Sequence, residues 1–389
     1  MIRSSTGTLE EVRRHNLATV LRLLHVHGPL SRAGLTARTG LNRSTVRALV
    51  TELAGLGLVA ESSPVSSGTA GRPSIMVQPA SDNVHVLAVD IGVEHLTAAR
   101  VGLGGVILDR TAVERWRSSY DVDVTLRHIA TMRATLEAGA PAHSRCVGIG
   151  VAVCGLVGSD TGVVRFAPNL GWVDVPLGAL LADTTTLPVA VGNEGDLGAR
   201  AEHLRGAGAG TANLVYLTGE VGLGAGIIVG GRPLAGADGY AGEVGHTRVN
   251  PGGRECRCGR RGCWETEVGE DAVLRATGLP AGTSMAEVMS AYAAGAPGVR
   301  AGLATIGAWL GAGVADLVNV FNPELVIFAG LTHQLFQLTE PTVRSSLDAA
   351  LNAPRGRVRL TVAGLGTDSA LLGAAELAFA PVLANPLAG

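Results

Sequence analysis

The most informative part of this chain begins at Gly242-Glu243-Val244-Gly245-His246 and continues to Cys256-Arg257-Cys258-Gly259-Arg260-Arg261-Gly262-Cys263-Trp264-Glu265. Its histidine and three cysteines are spaced as H-x9-C-x-C-x4-C. Three thiolates and one imidazole are the donor set of a closed, tetrahedral, structural zinc site. The alternative is three buried cysteines without a ligand. We predict one structural Zn²⁺ per chain, held by His246, Cys256, Cys258 and Cys263.

These residues resemble the signature of the ROK family, a group of bacterial repressors and sugar kinases. Glu243-x-Gly-His246 and Cys256–Glu265 match it, and so does Ala167-Pro168-Asn169-Leu170-Gly171-Trp172. The resemblance covers essentially the whole chain and implies an α/β, actin-like (ribonuclease H-like) sugar-kinase fold with two lobes. It also implies that zinc organises one side of a sugar pocket. The sugar contacts that it implies are Asn169, Asn193, Glu194, Glu243, His246 and Glu265.

The chemistry of these side chains suits a sugar. Carboxylates and amides can donate to and accept from the many hydroxyls of a monosaccharide. His246 could bind zinc through one ring nitrogen and face a sugar hydroxyl with the other. The alternatives are that Glu243 and Glu265 are solvated surface or loop-capping residues and that Asn169 is a turn residue.

The first eighty residues differ in charge from the rest. They hold nine arginines and four glutamates, a net charge of +5, whereas the whole chain has a net charge of −2. Leu17, Val20, Leu21 and Leu24 predict a helix that ends at Gly28-Pro29. Ser31 can cap a second helix that stops at Thr39-Gly40. A hairpin follows a third helix, with strands from Leu58 and from Ser74 to Val77. This order predicts a winged helix-turn-helix.

The third helix, capped by Asn42 or Ser44, has a buried stripe of Val46, Leu49, Val50 and Leu53. Such a helix enters the major groove in winged-helix proteins. Arg72, in the wing, could reach a phosphate or the minor groove. The alternative is an ordinary three-helix packing domain with a solvated polar face. The predicted DNA contacts are Arg43, Ser44, Thr45, Arg47 and Arg72.

By the resemblance, two turns correspond to the phosphate loops of the kinases, and the second of them is rich in glycine. A strand Val84–Val89 leads into Asp90-Ile91-Gly92-Val93-Glu94, with a second strand from Leu96, but the resemblance implies glycine and a hydroxyl residue where Val93 and Glu94 stand. The loop from Thr218 to Gly226 adds Glu220, a carboxylate that repels phosphate. The resemblance also implies a paired glycine near the adenine position, where this chain has Phe328-Ala329-Gly330. We therefore predict that phosphoryl transfer is lost or weak.

The position of the catalytic base is altered as well. The resemblance implies an aspartate after Asn193, and this chain has Glu194, which is one methylene longer. A displacement of ~1 Å can cost about 100-fold in rate. Glu194 is then a degenerate base that can still bind a sugar. The predicted function is a sugar-responsive transcriptional regulator that represses carbohydrate-utilisation genes and is not an enzyme. The alternatives are an active, glucokinase-like sugar kinase that also regulates, and a DNA-binding protein whose second part only oligomerises.

The predicted organisation is a DNA-binding domain over 1–80, one lobe over 81–205 and another over 206–389, with the final helix returning to the first lobe. No signal-peptide core and no membrane-spanning apolar run is expected, which predicts a cytoplasmic protein. Operator DNA and a monosaccharide or sugar derivative are the expected partners, with a homodimer or homotetramer as the assembly. Cys146 and Cys154 are expected to be isolated core residues.

Overall fold

The computed structural model describes residues 9–62, 75–114, 121–158, 160–351 and 356–388. They form an N-terminal module followed by two lobes, and each lobe is built on a five-stranded sheet. The mixed α/β, two-lobed architecture predicted from the sequence is confirmed.

The N-terminal module consists of three helices and a small antiparallel sheet with strand order β1-β3-β2. Its elements are α1 (Leu9–His27), β1 (Leu30–Ser31), α2 (Arg32–Thr39), α3 (Arg43–Gly55), β2 (Val59–Ser62) and β3 (Met76–Pro79). The Ser31 side chain caps α2, as predicted, and Asn42 caps α3 by accepting the Thr45 N–H at 2.8 Å. Of the two candidate caps for α3, Asn42 rather than Ser44 is therefore the cap.

The return strand of the hairpin is predicted over Ser74–Val77. Ser74 lies outside the described residues, and the described strand begins at Met76, which pairs with Ser62, and ends at Pro79, which pairs with Val59. Arg72 lies outside the described residues, so its place relative to DNA stays a prediction.

The first lobe has the strand order β11-β7-β4-β5-β6. A meander of β4, β5 and β6 is antiparallel, whereas β7 and β11 add to β4 in parallel. A three-stranded sheet of β8, β9 and β10 is attached to it. The elements are β4 (Val84–Ile91), β5 (His95–Gly102), β6 (Val106–Glu114), α4 (Val122–Ala138), β7 (Arg145–Val153), β8 (Leu156–Val157), β9 (Val164–Ala167), β10 (Trp172–Val175), α5 (Leu177–Ala182), β11 (Val189–Asn193) and α6 (Glu194–Arg205).

The second lobe repeats this topology with the order β14-β13-β12-β15-β16. Again three antiparallel strands form a meander and two parallel strands extend it. The elements are β12 (Leu214–Thr218), β13 (Gly224–Val229), β14 (Arg232–Pro233), α7 (Glu265–Val268), α8 (Glu270–Thr277), α9 (Met285–Ala293), α10 (Pro297–Phe321), β15 (Leu325–Phe328), α11 (Gly330–Ser346), β16 (Arg359–Val362) and α12 (Ser369–Ala384).

The last helix, α12, leaves the second lobe and packs against β4, β7 and α6 of the first. The sequence predicted no membrane-spanning apolar run, and among the described residues two helices could cross a membrane by length and composition alone. One spans Pro297–Phe321 and the other Gly366–Ala384, and 61% of each apolar window is buried inside the protein. Both therefore serve as core helices in this structure.

The apolar core of the N-terminal module is continuous with that of the first lobe. Leu17 and Leu21 of α1 belong to the same buried cluster as Val86 of β4 and Phe379 of α12. Such a shared core fixes the orientation of packed elements, because close-packed side chains resist displacement. The N-terminal module therefore packs directly against the first lobe.

Candidate functional site

A cavity of about 620 Å³ lies between the two lobes. Its volume is within the range of small-molecule sites, which is about 300–1,000 Å³. The structure brings together around it all six residues that the sequence predicts as sugar contacts: Asn169, Asn193, Glu194, Glu243, His246 and Glu265. They come from segments nearly one hundred residues apart in the sequence, so only the tertiary fold makes them neighbours.

The β11–α6 junction places two of these residues. Strand β11 ends at Asn193, whose side-chain oxygen accepts the N–H groups of Gly195 at 2.7 Å and Asp196 at 3.2 Å, capping α6. Its amide nitrogen donates to the carbonyl of Gly155 at 2.8 Å. Most of the hydrogen-bonding capacity of Asn193 is therefore committed to the backbone. In this conformation it positions Glu194, the first residue of the helix.

Glu194 is a half-buried acid among other acids. Burial, together with the negative charges of Asp90 and Glu220, raises the pKa of Glu194 to about 8. Burial also raises the pKa of Asp196, two residues further on, to about 7. At neutral pH, Glu194 is then mostly a neutral carboxyl group, which can donate a hydrogen bond as well as accept one. That state suits the binding of a sugar hydroxyl and is a poor start for a general base, which must be ionised to take a proton.

The second lobe supplies the other acids. His246 lies between two glutamates, with Nε2 at 3.8 Å from Glu243 and Nδ1 at 3.5 Å from Glu265. Burial raises the pKa of Glu243. One ring nitrogen of His246 thus faces the cavity carboxylate Glu243, and the other faces the cysteines.

The cysteines and His246 form a compact cluster whose donor atoms all lie within 4.8 Å of one another. The Sγ atoms of Cys258 and Cys263 are 3.6 Å apart, and Cys256 Sγ is 3.6 Å from His246 Nδ1. Ligands at ~2.3 Å from a tetrahedral ion are separated by about 3.8 Å. The cluster can therefore hold one metal ion. Glu265 accepts a hydrogen bond from Cys256 at 2.8 Å, which links the cluster directly to the cavity wall.

Arg257 extends the metal loop towards the first lobe. It lies between two of the cysteines and donates a hydrogen bond to the side-chain oxygen of Asn169. Asn169 therefore has a cross-lobe partner already, and the metal cluster helps to fix the position of both residues. Nothing in the spacing of the sequence singled out Arg257.

The two phosphate-loop candidates meet across the cleft. Glu220, which follows β12 of the second lobe, accepts hydrogen bonds from the N–H groups of Val93 at 2.6 Å and Glu94 at 2.9 Å. These are the amides of the turn between β4 and β5 in the first lobe. The sequence predicted that Glu220 repels phosphate, and that stays a prediction. The structure adds that its carboxylate occupies two N–H groups of the other phosphate-loop candidate.

A histidine completes this contact. His95 Nδ1 is 3.2 Å from Glu220 and its Nε2 is 3.1 Å from Asp90. Burial alone would lower the pKa of His95, but hydrogen bonds to these two carboxylates raise it to about 10. Burial alone would raise the pKa of Glu220, but His95 and the two amides lower it. The result is a charged His95 between two carboxylates, with a buried oxygen of Asp90 still without a partner.

Sequence reasoning missed His95, because a lone histidine after a turn carries no motif. The strand before it also runs further than predicted, to Ile91, and the next begins at His95. Cys154, expected to be an isolated core residue, packs against the apolar cluster of the first lobe and also lines the cavity. His95 begins β5 and Cys154 follows the end of β7. Because β4 pairs with both strands, the two residues lie at the same end of the sheet.

The predicted DNA-contacting face lies on α3, far in sequence from the cavity. Val46, Leu49, Val50 and Leu53 are buried, which confirms the predicted apolar stripe. The residues predicted to contact DNA lie at the start of the helix, where Arg43, Ser44 and Arg47 are exposed and Thr45 is half-buried. The Ser44 hydroxyl donates to the Asn42 cap at 2.7 Å.

The chain resembles both repressors and kinases of known sequence and structure. It is 28% identical to the xylose repressor of Bacillus subtilis, over 94% of this chain and 95% of that protein. It is 30% identical to the glucokinase of Streptomyces coelicolor, over 76% of this chain and 98% of that protein. A crystal structure of a ROK family transcriptional regulator, a homologue of the Escherichia coli Mlc protein, superimposes with a TM-score of 0.79 at 27% identity, covering 96% of this chain and 97% of the other. The ROK family model matches residues 86–380, so the chain belongs to the ROK family.

Proposed function

We propose that this chain is a sugar-responsive, DNA-binding transcriptional regulator that represses carbohydrate-utilisation genes. The observation that carries the proposal is the extent of the similarities. The repressor is similar over 94% of the chain, whereas the glucokinase is similar over 76%, which leaves out a segment about the size of the N-terminal module. The lobes then serve as the effector sensor and the module as the DNA-binding part, in the cytoplasm.

In this proposal, α3 contacts the DNA. Its exposed start presents Arg43 and Arg47 in a module with a net positive charge, as a helix in the major groove requires. Arg72 in the wing would add a phosphate or minor-groove contact. A homodimer or homotetramer would bring two such helices to the half-sites of a pseudo-palindrome.

The effector is a monosaccharide or sugar derivative bound in the cleft. A ligand there would face Glu194 and Asn169 of the first lobe and Glu243, His246 and Glu265 of the second. Contacts on both sides of a cleft favour one arrangement of the lobes over another. Mere oligomerisation would need no such convergent polar set.

Kinase activity is absent or vestigial in this proposal. The Glu220 carboxylate occupies N–H groups of the first phosphate-loop candidate. Glu194 has a longer side chain than the aspartate that the resemblance implies, and its pKa is raised. A nucleotide phosphate would have to displace a carboxylate held by two N–H groups and a charged histidine. Charge-assisted hydrogen bonds contribute roughly 1.5–3 kcal/mol each, so that displacement is costly.

Zinc is the metal that the donor set fits best. Three thiolates and an imidazole, without carboxylate or open position, are typical of structural zinc sites. The ion would fix the loop that carries Arg257 and Glu265 against the cavity. One zinc per chain is expected.

The proposal is tested by selecting a DNA site and an effector independently and then measuring their coupling. The DNA site comes from selection on a pool of randomised duplexes. The effector comes from thermal-shift screening of D-xylose, D-glucose, N-acetyl-D-glucosamine and their phosphates, because a ligand of the native state raises its melting temperature.

Calorimetric titration of the selected sugar, with and without the selected duplex, gives the coupling. We expect each ligand to weaken the other by the same factor of about 10–100, or about 1.4–2.8 kcal/mol. Equal sugar affinity with and without DNA would refute regulation by the sugar. Robust sugar-dependent ATP turnover, lost in Glu194→Ala, would support the kinase instead.

A further inference from the structure

We infer that helix α6 transmits sugar occupancy to the DNA-binding module through a buried ionic junction of Arg205, Glu376 and His25. The inference rests on the proposed function and assigns the residues that connect its two sites. It gives these three residues a positioning role, since none of them lines the cavity.

One end of α6 belongs to the cavity. The helix begins at Glu194, and the Asn193 cap holds that first turn. Close contacts fix its path, because a Cβ at Gly195 would meet the backbone of Ala225 at 2.8 Å and one at Gly198 would meet the Tyr216 ring at 2.6 Å. A twelve-residue helix is stiff and spans about 18 Å. Movement at Glu194 must therefore appear at its other end.

The far end of α6 is tied to α12. Glu202 is buried and accepts hydrogen bonds from the N–H of Leu365 at 2.8 Å and from the hydroxyl of Ser369 at 2.9 Å. Those two residues lie just before and at the start of α12. The helices α6 and α12 thus form one unit that carries both Arg205 and Glu376.

Arg205, the last residue of α6, joins three elements at once. Its Nε and Nη2 donate to Oε1 of Glu376, at 2.8 and 2.6 Å. Its Nη1 donates to the backbone carbonyl of His25 in α1 at 2.8 Å and to that of Gly104 at 2.9 Å. The planar guanidinium fixes the relative positions of these acceptors, because its donors have a rigid geometry.

The His25 side chain contacts Glu376 and Gly104, which Arg205 also contacts. Its Nδ1 accepts the N–H of Gly104 at 2.9 Å, so its Nε2 carries the hydrogen and donates to Glu376 at 3.0 Å. The side chain is fully buried. Burial alone would raise the pKa of Glu376, but hydrogen bonds from His25 and Arg205 and the charge of Arg205 lower it. The junction therefore holds an ionised carboxylate in the interior and leaves little freedom in its geometry.

The apolar residues around the junction restrain its movement. Leu21 and Leu24 of α1 pack in the same apolar cluster as Phe379 and Leu383 of α12. A displacement of the α6–α12 unit must then either carry α1 with it or break several short hydrogen bonds. Carrying α1 reorients the module that presents α3 to DNA.

The test measures the coupling factor between sugar and DNA in variants of the full-length chain. Arg205→Met removes all the donors and keeps the apolar stem. Arg205→Met combined with Glu376→Gln also removes the carboxylate that would otherwise stay buried without its cation. Arg133→Met is the matched control, because Arg133 pairs with Glu137 on the surface of α4. Melting curves establish that each variant is folded.

The probes are the sugar and the duplex selected with the wild type from the panel and pool described above. We expect sugar affinity without DNA and DNA affinity without sugar to stay within about threefold of wild type, while a coupling factor of 10 or more falls below about 2. The control variant should keep the wild-type factor. If Arg205→Met does not fold, the double variant decides.

The two possible failures are distinguishable. Wild-type coupling that persists in the folded junction variants would overturn the inference and leave the proposed function intact. A wild type that binds both ligands without any coupling would refute the proposed function, and the inference would fall with it.

Discussion

Glu220 and Val93 are joined across the cleft by a 2.6 Å hydrogen bond, from the Val93 N–H to the Glu220 carboxylate. The same carboxylate accepts the N–H of Glu94 and lies beside His95. An anion-binding turn is therefore filled by a side chain of the opposite lobe. The N–H groups of this turn thus have a partner within the chain itself.

Removal of this carboxylate should open the turn. In Glu220→Ala, two N–H groups and His95 become available to an external anion, so we expect pyrophosphate to bind at least about tenfold more tightly than in wild type. Isothermal titration with pyrophosphate measures this gain. Glu340→Ala, an exposed glutamate of α11, is the control and should bind as wild type does. Unchanged affinity in Glu220→Ala would show that the amides are no anion site.

The metal cluster should be stoichiometric and structural. We expect about one zinc per purified chain and its loss in Cys258→Ser, together with a lower melting temperature and loss of the sugar response, because the ion holds the loop that carries Arg257 and Glu265. Elemental analysis and melting curves measure both effects. Cys146→Ser, outside the cluster, should keep the metal. A wild-type protein free of stoichiometric zinc would contradict the assignment.

Sequence motifs predicted the metal cluster and the residues around the cavity. The spacing of His246 with the three cysteines and the signature residues Asn169, Glu243 and Glu265 predicted a cavity that the fold assembles. The apolar stripe of α3 likewise follows from its period of 3.6 residues.

The rest depends on contacts between segments remote in sequence. Glu220 reaches an amide 127 residues away, and Arg205 meets Glu376 171 residues away. Neither pair has a local pattern, since a single glutamate after a strand or a single arginine at a helix end is common. Lobe closure and the return of α12 to the first lobe create both contacts.

The DNA-binding face should be sensitive to single changes on α3. If Arg47 contacts a base, Arg47→Ala should lose about 1–3 kcal/mol of binding free energy and relax specificity at one position. Arg72→Ala should weaken binding with less loss of specificity if it contacts phosphate. Gel shifts on the selected duplex and on variants of it measure both, with Arg133→Ala as control. Point changes are preferable to deletion of residues 1–80, which would expose the shared core around Leu21 and Phe379. Wild-type affinity and specificity in Arg47→Ala would place the contact elsewhere.

The last prediction concerns the raised pKa of Glu194. An acid with a pKa of about 8 in the folded chain and 4.5 in the unfolded chain binds more protons when folded, at any pH between these values. The free energy of unfolding must then fall as pH rises from about 4.5 to about 8, and level off above that. Glu194→Gln cannot ionise and escapes this loss. We expect its stability relative to wild type to grow by about 1–3 kcal/mol between pH 5.5 and 8.5, less than the full shift implies because the side chain opens onto a water-accessible cavity. Denaturant titrations at both pH values measure the difference, and Glu340→Gln should show no such trend. Parallel pH profiles for Glu194→Gln and wild type would mean that Glu194 is ionised in the folded protein, and its role as a neutral hydrogen-bonding partner for sugar would have to be abandoned.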